Sequence, residues 1–277
     1  MSLKVNNLIT RTLTGIIFLL AIICSALWNQ LFFTALFLGF LILGQLEYYR
    51  LLKGFKVYPQ IALGLLSGIT LFLTFSFFAM NMISYKWIFI NLPVLMMVFI
   101  AELYSHRENP FQNAAFTISG VIYIALPFAL LSFFFNPFFR NEFYHPEILL
   151  SFFFISWMND IGAYLIGSAF GKHRLFERIS PKKSWEGSFG GLLFSVITAV
   201  VCAQFFTIFP LWQWFTISLI IVVTGTYGDL VESMFKRSLN IKDSGKIMPG
   251  HGGILDRFDA VFFAAPFVLL FIILMNI

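Results

Sequence analysis

Charge is scarce in this chain. Of its 277 residues, 11% are Asp, Glu, Lys or Arg, where soluble domains carry roughly a quarter. That composition, with 59% hydrophobic residues, excludes a soluble globular protein. Cysteine is nearly absent: Cys24 and Cys202 fall in separate apolar runs, so neither a disulfide framework nor a metal knuckle is expected, and both read as small packing residues. No internal repeat or low-complexity linker is evident. A cleavable leader is not expected either. Lys4 and Arg11 precede an apolar run longer than a signal-peptide core, and no small-residue cleavage site follows before the next run.

What the chain has in quantity is apolar length. Nine runs approach or exceed the roughly 20 residues needed to cross a bilayer as a helix; they lie at about 12–28, 31–48, 60–80, 87–104, 115–135, 148–168, 189–209, 212–229 and 260–276. The expected fold is an all-α integral membrane protein, a polytopic helical bundle of about nine spans. Its 38 phenylalanines are expected to face lipid or neighbouring helices. With the N-terminus inside, only Lys86 and Arg140 of the 18 cations fall on the outer side, as the positive-inside rule demands. The net charge of +5 then reflects topology and attraction to anionic lipid, not nucleic-acid binding. Residues 1–150 have short loops and read as transmembrane scaffold. Residues 151–277 carry three polar blocks and read as the catalytic part of one integral domain.

The first block is Asn159–His173. Asp160 lies within a predicted span, about 12 Å from its inner end, where a carboxylate must face a hydrated cavity, a cation or a metal. Tyr164, Gly167 and Gly171 share its helical face by spacing, and the glycines suit close helix packing. The string from Gly167 to His173 is not a phosphate-binding P-loop: it has one residue too few between its glycines and no Ser or Thr after the lysine. The second block is Ile179–Gly191. Ser180 and Pro181 are expected to begin a turn, Lys182 and Lys183 suit phosphate as mobile point charges, and Glu186 precedes the next span.

The third block, Gly228–Asp259, mixes acidic residues, cations, a histidine and glycines. Asp229 is expected where a span meets the inner face, with Glu232 nearby and Lys236 and Arg237 a turn later. Residues 242–253, rich in glycine and containing Pro249, should form a loop. Asp256 and Asp259, three residues apart, fall on one side of the next helical start. Hard carboxylate oxygens of this kind suit Mg2+, which binds through one or two carboxylates plus substrate phosphate oxygens.

From Ser233 to Asp259 the chain resembles the C-terminal signature of the phosphatidate cytidylyltransferases, or CDP-diacylglycerol synthases. The matching residues are Ser233, Lys236-Arg237, Lys242-Asp243, Gly245, Pro249, His251-Gly252-Gly253, Asp256-Arg257 and Asp259. The runs around Asn159-Asp160 and from Ser180 to Gly187 look like the same family's other recurrent elements. The resemblance implies transfer of a cytidylyl group from CTP to phosphatidic acid, at a metal centre between membrane helices that opens to the cytosol. It further implies Asp229 and Asp256 as the metal ligands. Chemistry then suggests catalytic or phosphate-binding work for Lys236, Arg237, His251 and Asp160. Ser180, Lys182, Lys183, Glu186, Lys242, Asp243, Arg257 and Asp259 are candidates for substrate contacts. Mg2+ is the expected cofactor; a second cation and a homodimer are left open. The bilayer expected is a bacterial plasma membrane, with the site facing the cytoplasm.

Other readings compete. A CTP-dependent polyprenol or phytol kinase has similar lipid and nucleotide needs, and a transporter would account for the spans and Asp160 but not for the acidic-basic-glycine loop. A CDP-alcohol phosphotransferase would need a DG-x2-AR motif, which the sequence lacks.

Overall fold

The structure, a computed structural model, describes residues 2–136, 144–245, 247 and 252–275, with side chains from Thr12 onward. Among these residues, helices dominate. They are α1 (Ser2–Trp28), α2 (Gln30–Leu52), α3 (Ile61–Ala79), α4 (Asn91–Leu103), α5 (Pro110–Gly120), α6 (Leu126–Leu131), α7 (Pro146–Phe170), α8 (Trp185–Phe205), α9 (Leu211–Ser238) and α10 (Leu255–Met275). Among the described residues, eight helical segments are long and apolar enough to span a bilayer, and Thr12–Trp28 adds a shorter apolar helix at the position of the first expected span.

Local sequence explains the boundaries. Asn29 separates α1 from α2, its side chain accepting the Leu31 N–H at 2.8 Å as an N-cap. Helices α5 and α6 belong to one crossing, Pro110–Phe135, joined by a π turn at Val121–Ala125. Pro127 lies two residues past that turn; it has no N–H to give the preceding turn, and the widened spiral accommodates the gap.

Two expectations need correction. Ser180 and Pro181 do not begin a turn: they open a strand, β2 (Ser180–Ser184), paired antiparallel with β1 (Arg174–Phe176), and the turn lies at 177–179. Pro181 is tolerated because a two-stranded ribbon has a free edge. Helix α9 does not stop near residue 229 but runs on to Ser238, because Glu232, Met234, Lys236 and Arg237 are good helix formers despite their polarity. Asp229 consequently sits about 14 Å before the helix end, with its side chain 35% exposed.

Two kinds of packing hold the bundle. In the centre, α2, α6, α7 and α10 interlock through rings: Phe128 meets Phe258 edge-on at 4.8 Å, and Phe37 lies 5.5 Å from Phe128 and 5.7 Å from Phe258. In the C-terminal half, α7 and α8 approach backbone to backbone. A Cβ on Gly162 would stand 2.6 Å from the Gly190 carbonyl oxygen, and one on Gly167 3.3 Å from the Gly187 Cα. Helix α8 also packs on α9, and α9 on α10. The end of α2 joins the end of α9, where Tyr48 stacks on Phe235 at 5.3 Å.

Replacing Gly190 by Val drives a side chain into Ile166 and the Gly162 carbonyl. The expected cost is about 1–3 kcal/mol, read as a lower unfolding temperature of the detergent-purified protein. The matched Gly39→Val, at a position where a Cβ would meet nothing within 4 Å, should leave that temperature unchanged.

Candidate active site

At the end of the bundle where α7 stops and α8 starts, the β-hairpin folds back toward α9 and closes a cavity of about 590 Å³. Ser184 ends β2 and caps α8, accepting the Gly187 N–H at 3.1 Å, which fixes the hairpin against the helix start. Arg174, Lys182 and Lys183 are thereby brought to the cavity wall. Asp160 reaches it from α7 and Asp229 from α9, each roughly 14–15 Å from its helix end. Lys183 Nζ pairs with Asp229 Oδ2 at 2.5 Å, and Ser233 donates to Asp229 Oδ1 at 3.2 Å. Asp160 lies within electrostatic reach of Asp229, Lys183 and Arg257. It is densely surrounded by protein yet open to the cavity, which is how a membrane helix retains a carboxylate.

Beside the cavity, the start of α10 and the end of α9 form a denser polar cluster. Asp256 Oδ1 accepts Lys236 Nζ at 2.7 Å. Its Oδ2 accepts the Gly253 N–H at 2.8 Å, the Ser244 N–H at 2.9 Å and the Ser244 hydroxyl at 2.8 Å. Lys236 also pairs with Glu232 one turn back on α9. The Glu232 side chain is only 1% exposed, and its Oε1 has no hydrogen-bond partner among the described residues. Gly252 adopts φ 85°, and a Cβ there would strike Asp256 Oδ2, so the loop can enter α10 this tightly only with glycine. Asp259 lies one turn deeper and within electrostatic reach of Asp229, Glu232 and Asp160. Carboxylates outnumber lysines across the two clusters.

The sequence candidates divide accordingly. Asp160, Asp229, Lys182 and Lys183 meet at the cavity, and Lys236, Asp256 and Asp259 meet beside it. Arg237 does not join them: its guanidinium donates to the Ile241 carbonyl at 3.1 Å, where it secures the helix end. Glu186 turns away to His173, whose Nδ1 it meets at 2.6 Å, in an open groove with Lys172 and Trp185. Ser180 sits on the hairpin opposite Phe176. Lys242 and Asp243 are exposed on the loop, and Arg257 is exposed at the start of α10. His251 lies outside the described residues.

Sequence reasoning left out Arg174, Ser244 and, above all, Glu47. Glu47 comes from α2 and is 5% exposed. It accepts the Ile254 N–H at 2.8 Å and is in contact with the Ser244 hydroxyl. A signal was present, since a carboxylate within an apolar span demands the same explanation as Asp160.

The model of the cytidylyltransferase family matches residues 9–275. The chain belongs to that family. Among its relatives, it is 38% identical over 170 residues to a phosphatidate cytidylyltransferase of Staphylococcus epidermidis, covering 61% of this chain and 63% of the relative. It is 42% identical over 170 residues to that of Staphylococcus aureus, with the same coverage. To that of Staphylococcus haemolyticus it is 41% identical over 173 residues, covering 62% and 64%. The matched stretch thus spans a little under two thirds of each relative's length. As a member of the cytidylyltransferase family, the chain joins a nucleotide-handling family to a membrane bundle whose polar residues gather at one end.

Replacing Lys236 by Met leaves Glu232 and Asp256 without their shared counter-charge. The expected loss is about 3–5 kcal/mol, measured by thermal unfolding in detergent, and Glu232→Gln in the same chain should recover part of it.

Proposed function

We propose that this chain transfers the cytidylyl group of CTP to phosphatidic acid, releasing pyrophosphate and leaving CDP-diacylglycerol in the membrane. The observation that carries the reading is the cavity at one end of an apolar bundle, lined by Arg174, Lys182 and Lys183 together with Asp160 and Asp229. Its volume is that of a small-molecule site. It opens where a lipid phosphate, held by acyl chains in the bilayer, can meet a soluble nucleotide. The names of the relatives fit the same pair of substrates.

Phosphatidate already bears an ionised oxygen, so no strong base is needed to prepare the nucleophile. That oxygen attacks the α-phosphorus of CTP; the bond from the α-phosphorus to the bridging oxygen breaks, and its electrons leave with pyrophosphate. The difficulty is electrostatic, because two anions must approach and the departing group gathers charge. Lys182, Lys183 and Arg174 hold phosphate oxygens and offset that charge. A phosphate is also the ligand best able to draw Lys183 from Asp229.

Mg2+ fits the donor set. Asp229 and Asp256 are the residues proposed to hold it: both are hard carboxylates, and each carries a lysine ammonium. The unpartnered Glu232 Oε1 adds to the demand for positive charge. Among the described residues no three acidic, histidine or cysteine side chains converge as a finished ligand shell, and each of the two aspartates already accepts from a lysine that the ion would replace as counter-charge. When bound, the ion supplies charge neutralisation at the phosphates. We place the protein in a bacterial plasma membrane with this end toward the cytoplasm, consistent with the staphylococcal relatives and the distribution of cations in the sequence.

Purified protein given phosphatidate and CTP should move label from the α-phosphate into lipid, and none from the γ-phosphate. γ-label in the lipid would instead make the protein a kinase. Chelation should abolish the transfer and Mg2+ restore it. Asp229→Asn and Asp256→Asn should each insert normally and lose about 100-fold or more in kcat; normal turnover by both would remove the metal assignment.

A further inference from the structure

Glu47 is a buried charge of the N-terminal half whose partners lie in the C-terminal half. It lies in the apolar helix α2, is 5% exposed, and pairs with no lysine or arginine among the described residues. Burying a carboxylate is costly unless its oxygens are hydrogen-bonded. Here both oxygens are engaged, and by one element only: Oε1 meets the Ser244 hydroxyl, and Oε2 accepts the Ile254 N–H at 2.8 Å. Those two partners bracket the segment leading from α9 into α10. Two glycines make room for the contact, since a Cβ on Gly245 would lie 2.9 Å from the Glu47 Cδ and one on Gly253 would strike Oε1. Ser244 in turn holds Asp256 Oδ2 through its hydroxyl at 2.8 Å and its N–H at 2.9 Å.

The geometry points to Glu47 as a positioning residue: by gripping Ser244 and the Ile254 N–H it sets the position of the loop before α10 and, through Ser244, the orientation of the Asp256 carboxylate. An apolar residue would serve α2 itself better, because removing an unneeded buried charge is commonly neutral or stabilising. The grip belongs to the loop. Glu47 does not touch substrate in this assignment; it acts through Ser244 on Asp256. The catalytic half of the inference rests on the cytidylyl-transfer reading, while the grip on the loop does not.

The test uses detergent-purified full-length protein, with Glu47→Gln, Glu47→Asp and Ser244→Ala. Tryptic cleavage after Lys242 reports the loop without any turnover, and cleavage after Arg178 in the hairpin serves as the control. Glu47→Gln is expected to speed cleavage at Lys242 about tenfold or more while Arg178 is unchanged. It should lower kcat about 10- to 100-fold, the range an ångström of misplacement can cost, with KM for phosphatidate within about twofold. Ser244→Ala should reproduce the loss of kcat, and it carries the test alone if Glu47→Gln does not accumulate. Glu47→Asp, which keeps the charge on a shorter stem, should recover part of both effects. Unchanged cleavage at Lys242 overturns the assignment. So does equal acceleration at Arg178, which marks a generally loosened bundle, and so does a loosened loop with normal kcat. If the native protein shows no cytidylyl transfer, that reading fails separately, and the cleavage pattern alone decides whether Glu47 holds the loop.

Discussion

A carboxylate surrounded by apolar helices persists with a counter-charge, hydrogen bonds or an opening to water, and that constraint organises this end of the bundle. Asp229 has Lys183; Glu232 and Asp256 share Lys236; Glu47 has the loop hydroxyl and amide. Each arrangement ties two elements that the apolar core alone would leave unregistered. Lys183 joins the hairpin to α9, Lys236 joins α9 to α10, and Glu47 joins α2 to the segment between them. The polar groups that give the site its chemistry therefore also fix how the helices meet around it.

Packing elsewhere supports this. The phenylalanine cluster of α2, α6, α7 and α10 holds the helix starts and ends at the common face, while the glycine contacts of α7 with α8 bring the hairpin over the cavity. Ser184 links local and tertiary structure: it ends the strand, caps α8 and lies beside Gly167 and Gly171 of α7.

Much of this was legible in the sequence. Long apolar runs gave the spans, because a bilayer sets their length; Gly167 announced close packing and the intramembrane Asp160 a cavity, whereas Gly171, read as a second packing glycine, caps the end of α7 and the partner glycine on α8, Gly187, was not foreseen. Other features were hidden for physical reasons. Hydropathy marks where a helix leaves an apolar environment, not where it ends, so the last turns of α9 went unread. The strand at Ser180–Ser184 has lysines and a proline, poor strand formers that only pairing with Arg174–Phe176 makes extended. Proximity in sequence grouped Glu186 with Lys182 and Lys183, whereas its helix face turns it to His173. Glu47 was missed because its partners lie some two hundred positions away along the chain.

The contact of α7 with α8 has one more implication. Where two backbones approach through Gly162, Gly190, Gly167 and Gly187, the flanking side chains of Ile166 and Phe194 present their Cβ atoms, which no change of rotamer can move to absorb a displacement. Such a seam slides or separates only as a whole, which makes one wall of the cavity stiff. Adjustment to whatever enters the cavity then falls to the side of the hairpin and α9, where the long, jointed side chain of Lys183 reaches Asp229 and can swing without parting the helices.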